Sequence, residues 1–343
     1  MNNFVLLITS FVIFTTACSE PEKPARPVPD TGQTRSYTQM FGDDGDYRIL
    51  PASYTKLDKT GKELPEGAVE WAMVRDNVTG LIWEVKTDSG IGDKERRFTW
   101  YNPTGAANGG HAGRPGDGTD TQDFIDALNA ERFGGFSAWR IPSVKELSTL
   151  INSGSQNPAI HEKYFVHTMP GNYWTSTADV TNRNYAWLVN FETGLVPYGF
   201  NKTDSYYVRA VYGSAGGFSP NLVEKGDGTV LDKTTGLMWQ QATVEADRWE
   251  GAIARCEDLV LAGRDDWRLP NRNELQSLID YDKHDLSISE SIFPDTLPVY
   301  YWTSTTYTPA PSRSWVVSFQ SGYVHFSNKS RKHTFRAVRG PDL

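Results

Sequence analysis

The chain has 343 residues, 38% of them apolar and 13% aromatic with 11 tryptophans, and a formal net charge of −8. Such acidity argues against nucleic acid or another polyanion as a partner of the whole surface, and the length exceeds one typical domain. The only cysteines are Cys18 and Cys256, so once Cys18 is assigned to processing no internal disulfide can form, and cysteine usage does not indicate a compartment.

Phe4 to Ala17 is an unbroken run of apolar and small residues, too short to cross a bilayer and of signal-peptide length. It ends Thr15-Thr16-Ala17-Cys18, which resembles a bacterial lipoprotein signal whose cysteine becomes the lipidated first residue. Thr15 stands where Leu is usual and no Lys or Arg precedes the run; an ordinary cleaved signal with an incidental cysteine is the alternative. The lipoprotein reading makes residues 1–17 a signal peptide, Cys18 the lipidation site, and the protein exported and anchored to the cell envelope. By the same resemblance Ser19 directs it to the outer membrane. Residues 18–66 follow, with Pro21, Pro24, Pro27 and Pro29 and then Gly42-Asp43-Asp44-Gly45-Asp46. Pro-dense polar sequence buries too little apolar surface to offset its ordering entropy, so an extended tether with a solvated acidic turn is expected.

Val74-Arg75-Asp76-Asn77-Val78-Thr79-Gly80-Leu81-Ile82-Trp83 opens a repeat that begins again at Val230-Leu231-Asp232-Lys233-Thr234-Thr235-Gly236-Leu237-Met238-Trp239. Both copies predict strand, Asp-x-x-Thr-Gly turn, strand. A helix follows in each, marked by Phe124, Ile125, Leu128 and Phe133, and over Trp249 to Leu261 by Ala252, Ile253, Cys256, Leu259 and Val260. Trp83 to Trp139 spans 56 positions and Trp239 to Trp267 spans 28, so the first copy carries an insertion, at about 90–121.

Then comes Trp139-Arg140-Ile141-Pro142-Ser143-Val144-Lys145-Glu146-Leu147, returning 128 positions later as Trp267-Arg268-Leu269-Pro270-Asn271-Arg272-Asn273-Glu274-Leu275. The proline fixes φ and removes a backbone donor, ending a strand. Ser143 and Asn271 are N-cap residues with Glu146 and Glu274 three places on, as a capping box requires. Tyr173-Trp174-Thr175-Ser176-Thr177 and Tyr301-Trp302-Thr303-Ser304-Thr305 come next, then alternating strands at 186–191 and 314–319. After turns at Gly194 and Gly322, hairpins at Asn201-Lys202-Thr203 and Asn328-Lys329-Ser330 lead to Arg209-Ala210-Val211 and Arg336-Ala337-Val338. Strands on either side of two short helices, without βαβ alternation, predict an α+β fold with an antiparallel sheet in each repeat. The domains run 67–213 and 223–343, joined by a linker over 214–222, and are expected to fold separately.

These recurring elements resemble the DUF1566 family, the domain at the C-terminus of Legionella collagen-like proteins. The resemblance covers roughly residues 68–213 and 223–343. It implies a fold related to the C-type lectins, hence two tandem C-type-lectin-like domains. It also implies a surface-exposed bacterial protein associated with adhesion and glycan binding. No collagenous Gly-x-y segment is present, so no trimeric stalk is implied.

Eight of the 11 tryptophans pair between the copies: Trp83 with Trp239, Trp139 with Trp267, Trp174 with Trp302, and Trp187 with Trp315. Recurrence in diverged copies points to core packing. Arg140, Arg268, Arg209 and Arg336 interrupt apolar strands and need partners if buried, for which Glu146 and Glu274 are candidates. The Trp-Arg-Leu-Pro segment also resembles formylglycine-generating enzymes, but those need a reactive cysteine pair and only Cys256, on an apolar helix face, is present. No histidine spacing suggests zinc. The expected function is thus a non-catalytic envelope lipoprotein binding a glycan or a neighbouring envelope or surface protein; the alternatives are a periplasmic or surface enzyme of formylglycine-generating-enzyme-like fold and a structural assembly protein. Trp100, Tyr101, Tyr198 and Tyr323 are the candidate sugar-stacking residues. Lys329, Arg331 and Lys332, beside His333 and Arg339, form a cationic cluster suited to sulphated ligands. Calcium is a possible cofactor, on Asp117, Asp120 and Asp123, with a weaker acidic run at Asp280-Tyr281-Asp282-Lys283-His284-Asp285.

Overall fold

The computed structural model describes residues 26–103, 113–114, 116–215 and 218–341. The signal peptide and Cys18 lie outside these ranges, as does part of the insertion. Among the described residues no helix is long and apolar enough to cross a membrane.

The first repeat comprises β1 (Tyr54–Leu57), β2 (Met73–Asp76), β3 (Ile82–Glu84), α1 (Thr121–Ala130), α2 (Val144–Ser148), β4 (Asn172–Ala178), β5 (Tyr185–Asn190), β6 (Phe200–Asn201) and β7 (Val211–Tyr212). The second comprises β8 (Leu222–Glu224), β9 (Thr229–Asp232), β10 (Met238–Gln240), β11 (Val244–Asp247), α3 (Trp249–Glu257), α4 (Arg272–Ser277), β12 (Tyr300–Thr306), β13 (Arg313–Ser318), β14 (Val324–Asn328), β15 (His333–Phe335) and β16 (Val338–Arg339). The architecture is mostly antiparallel sheet with four short α-helices, consistent with α+β. Each repeat has one sheet that joins its beginning to its end, β1-β2-β3-β7 and β8-β9-β10-β16. Each has another holding the Tyr-Trp-Thr-Ser-Thr strand, β4-β5-β6 and β11-β15-β12-β13-β14. The expected Asp-x-x-Thr-Gly hairpins are present. Asp76 accepts from Val78 N–H and Thr79 N–H, and Gly80 takes the positive φ of 73° that a side chain would resist.

The copies meet about a local two-fold axis. Gln276 Nε2 donates to Ser148 Oγ at 3.1 Å, between residues 128 positions apart. Val196 forms an antiparallel bridge with Val324, at the same spacing. Contacts between equivalent positions define an isologous pairing, as in a two-fold dimer, here within one chain. One apolar cluster crosses the axis: Leu150, Ile151, Trp187 and Val196 belong to it together with Leu278, Ile279, Tyr281 and Trp315. The halves expected to fold separately therefore share a core.

Residues 26–53 differ from the expected solvated tether. They form a strap packed against residues of both repeats. Asp44 is buried, accepting from the hydroxyls of Thr31 and Thr305, the latter at 2.8 Å. Asp43 accepts from the Thr306 hydroxyl at 2.8 Å and from Gly45 N–H at 2.9 Å. Asn273 Nδ2 donates to the Pro29 carbonyl, and Tyr47 Oη donates to Glu257. Hydrogen bonding replaces the apolar burial that this segment lacks.

Candidate functional site

The most recognisable motif is structural. Arg140 donates to both oxygens of Glu146 at 2.8 and 2.6 Å, and Arg268 to both of Glu274 at 2.7 and 2.6 Å. The same glutamates accept from the N–H of Ser143 and Asn271, completing both expected capping boxes. Each glutamate thus fastens the preceding strand to the helix that follows the proline. Arg209 and Arg336 are held differently: each donates to a backbone carbonyl, of Glu84 or Gln240, and to a hydroxyl, of Thr168 or Thr296.

The four expected tryptophan pairs are buried. Trp100, expected as an unpaired sugar platform, is also core: it is 1% exposed and donates from Nε1 to the Thr175 carbonyl. Its counterpart is Trp249, which donates to the Thr303 carbonyl. Lys202 and Lys329, from equivalent hairpins, cover the two indoles at 3.9 and 3.5 Å. That shared lysine was the signal that the sequence reading missed, because the insertion lies between Trp100 and its helix. Ten tryptophans therefore pair, and the remaining Trp71 donates to the Tyr164 carbonyl.

This removes Lys329 from the cationic surface. Its ammonium also donates to Thr306 Oγ, and burial lowers its pKa to about 8. Arg339 is buried and paired with Asp266 at 2.7 Å. Arg331 and Lys332 remain exposed.

The three insertion aspartates do not converge on a cation. Asp120 caps α1, accepting from Gln122 and Asp123 N–H at 2.9 Å. Asp123 accepts from Gly116, Gly118 and Thr119 N–H, and Asp117 from Thr119. Apart from Asp120 Oδ2, which is buried without a hydrogen-bond partner, their oxygens face donors, the opposite polarity from a calcium shell. Among the described residues no group of acidic, histidine or cysteine side chains is arranged to hold a metal. Cys256 is buried on α3, and burial pushes its thiol pKa far up, away from the thiolate a nucleophile needs.

Tyr198 and Tyr323 do come together, one from each repeat. Their rings lie 6.1 Å apart beside the Val196–Val324 bridge, and Tyr198 is 41% exposed. Tyr323 stacks on His325 at 5.3 Å, and His325 on Phe326 at 4.5 Å. This row leads into a groove of about 470 Å³ over β13 and β14 whose walls include Tyr300, Arg313, His325, Phe326, Arg331 and His333. No carboxylate lines it. Burial, then the nearby Arg331, lowers the pKa of His333 to about 4; burial and Arg313 lower that of His325. Both imidazoles are therefore neutral at pH 7, and the arginines carry the groove's charge. Tyr101 lies elsewhere, in a cleft of about 560 Å³ with Gln122, Asn129 and Arg140.

Two copies of one mostly antiparallel scaffold, with the recurring tryptophans and the Arg–Glu capping pairs packed inside, define a tandem-domain protein. A family model described as the Lcl C-terminal domain matches residues 72–212 and again 228–339, and the chain belongs to that family. No curated protein matches the chain.

Proposed function

We propose that this protein is a non-catalytic envelope module that binds an acidic glycan in the β13–β14 groove. The observation that carries this reading is the pairing of Arg313 and Arg331 with the aromatic walls Tyr300, His325 and Phe326, with no carboxylate between them. Sugar rings present apolar faces that stack on aromatic side chains, while sulphates or uronic carboxylates accept charge-assisted hydrogen bonds from guanidinium groups. Tyr198 and Tyr323 extend the stacking surface across the local two-fold, so a chain of several sugars has a track to follow. The relationship to C-type lectins and the lipid anchor at Cys18 belong to the same proposal, and support for them comes from the sequence resemblances. Calcium has no part in it.

A glycan array containing neutral, uronic and sulphated chains, probed with residues 19–343, tests this function. Hits are expected among acidic glycans, unaffected by a chelator and weakened by salt as exposed charge pairs are screened. Hits confined to neutral glycans and insensitive to salt would contradict it, as would conversion of a bound glycan to product.

A further inference from the structure

The strap fills only one of two equivalent grooves. On its side of the two-fold, Asn273 Nδ2 donates to the Pro29 carbonyl at 3.1 Å and Ser153 N–H to the Thr31 carbonyl at 2.7 Å. The Thr305 hydroxyl donates to Asp44 at 2.8 Å, and Gly32 lies against Asn152 and His161. Moving these five receiving residues by the 128-position repeat gives Lys145, Tyr281, Thr177, Asp280 and Ser289. All five line an open cleft of about 580 Å³ between the repeats.

The difference lies in the chain leading into each repeat. Lys145 Nζ donates to the Phe218 carbonyl at 3.0 Å, as Asn273 does to Pro29. From Phe218 the chain reaches β8 directly at Leu222, whereas from Pro29 it reaches β1 only at Tyr54, after the loop that carries Thr31 and Asp44. The second groove has no such loop among the described residues. Two donors whose counterparts hold the strap consequently meet no acceptor among the described residues. Tyr281 N–H makes no backbone bond, and the Thr177 hydroxyl, which accepts from Val144 N–H at 3.0 Å, donates to nothing described. Lys145 meets two carbonyls, Phe218 and Ser277, and an ammonium has a third hydrogen to give. Asp280, which meets Lys283 Nζ at 3.8 Å, and the exposed Asp282 also line the cleft.

We propose that this cleft docks an extended loop of a partner protein. An acidic side chain sits at Thr177 and Lys145, a backbone carbonyl on Tyr281 N–H, and a basic side chain against Asp280 and Asp282. A peptide is favoured over a sugar because these donors occupy the positions that already hold a peptide on the other side of the two-fold. The cleft shares no residue with the aromatic groove, so either site stands or falls alone.

A library of linear peptides displayed on phage, panned against residues 19–343, is the probe. The expected outcome is enrichment of sequences combining acidic and basic residues. Their affinity should drop about tenfold in Thr177→Val, the scale of one hydrogen bond to a charged group, and return in Thr177→Ser. Ser289→Trp, which fills the cleft, should abolish binding. Asp282→Arg, at an exposed position compatible with folding, should weaken peptides that carry the basic residue. Arg313→Ala should leave peptide affinity unchanged. Failure to enrich any peptide would overturn the proposal, as would peptides that bind all the cleft variants like wild type, or a glycan that Ser289→Trp displaces.

Discussion

Glu146 and Glu274 each satisfy a helix start and a guanidinium, but the two sites differ in exposure. Arg140 is 23% exposed, whereas Arg268 and Glu274 are both buried. Removing a carboxylate from a buried pair strands its partner without water, which costs about 3–5 kcal/mol, while a partner that can hydrate loses much less. Glu274→Ala should therefore lower the denaturation midpoint of the full chain far more than Glu146→Ala. Equal effects would show that capping, not the ion pair, dominates. Asn271→Ala, which removes only the cap, should cost about 0.5–2 kcal/mol. These motifs were legible in sequence because their partners lie three to six residues apart. Asp43 and Asp44 were not, since the hydroxyls that hold them are 263 and 261 positions away.

At the scale of elements, the strap makes stability depend on pH. Burial raises the Asp44 pKa from 3.8 to about 7 against the hydrogen bonds from Thr31 and Thr305, with Glu274 and Asp30 adding in the same direction. The folded state thus holds a proton that the unfolded chain releases. The stability this group contributes is full below about pH 4 and is lost as pH climbs through about 7. Arg268 and Arg272 face the same pocket, and Asp30 and Asp43 are raised too, so Asp44→Asn should reduce the slope between pH 4 and 7 without erasing it. Thermal melts of wild type and variant across that window check this; parallel curves would show that Asp44 is ionised in the fold. Elsewhere the apolar periodicity overran its element. The helix expected to Leu261 stops at Glu257: Leu259 N–H bonds back only to Cys256, and Leu261 pairs with Arg264 across a turn in which Ala262 and Gly263 take positive φ. The strands, turns and capped helices were readable because each is specified locally; the pairing of the two repeats is not.

For the whole molecule, the apolar cluster across the two-fold predicts that neither half is stable alone. Residues 223–341 expressed separately would expose Leu278, Ile279 and Trp315 to water, and should aggregate or lose fixed tertiary packing. A sharp, cooperative melt of the isolated half would contradict a shared core. The groove over β13 and β14 depends on that assembly at its edge, where Tyr198 of the first repeat meets Tyr323 of the second. Because burial and the nearby arginines lower both imidazole pKa values, that of His333 to about 4, affinity for an acidic glycan should not fall steeply from pH 6 to 8. A steep fall over that range would mean that an imidazolium binds the anion. The most direct measurement is a calorimetric titration of an acidic glycan into wild type, Arg313→Ala, Arg331→Ala and the double variant. The groove reading predicts saturable binding weakened about tenfold or more by each substitution and lost in the pair, with unchanged melting temperatures. Wild-type affinity in the double variant would place the ligand elsewhere and contradict it.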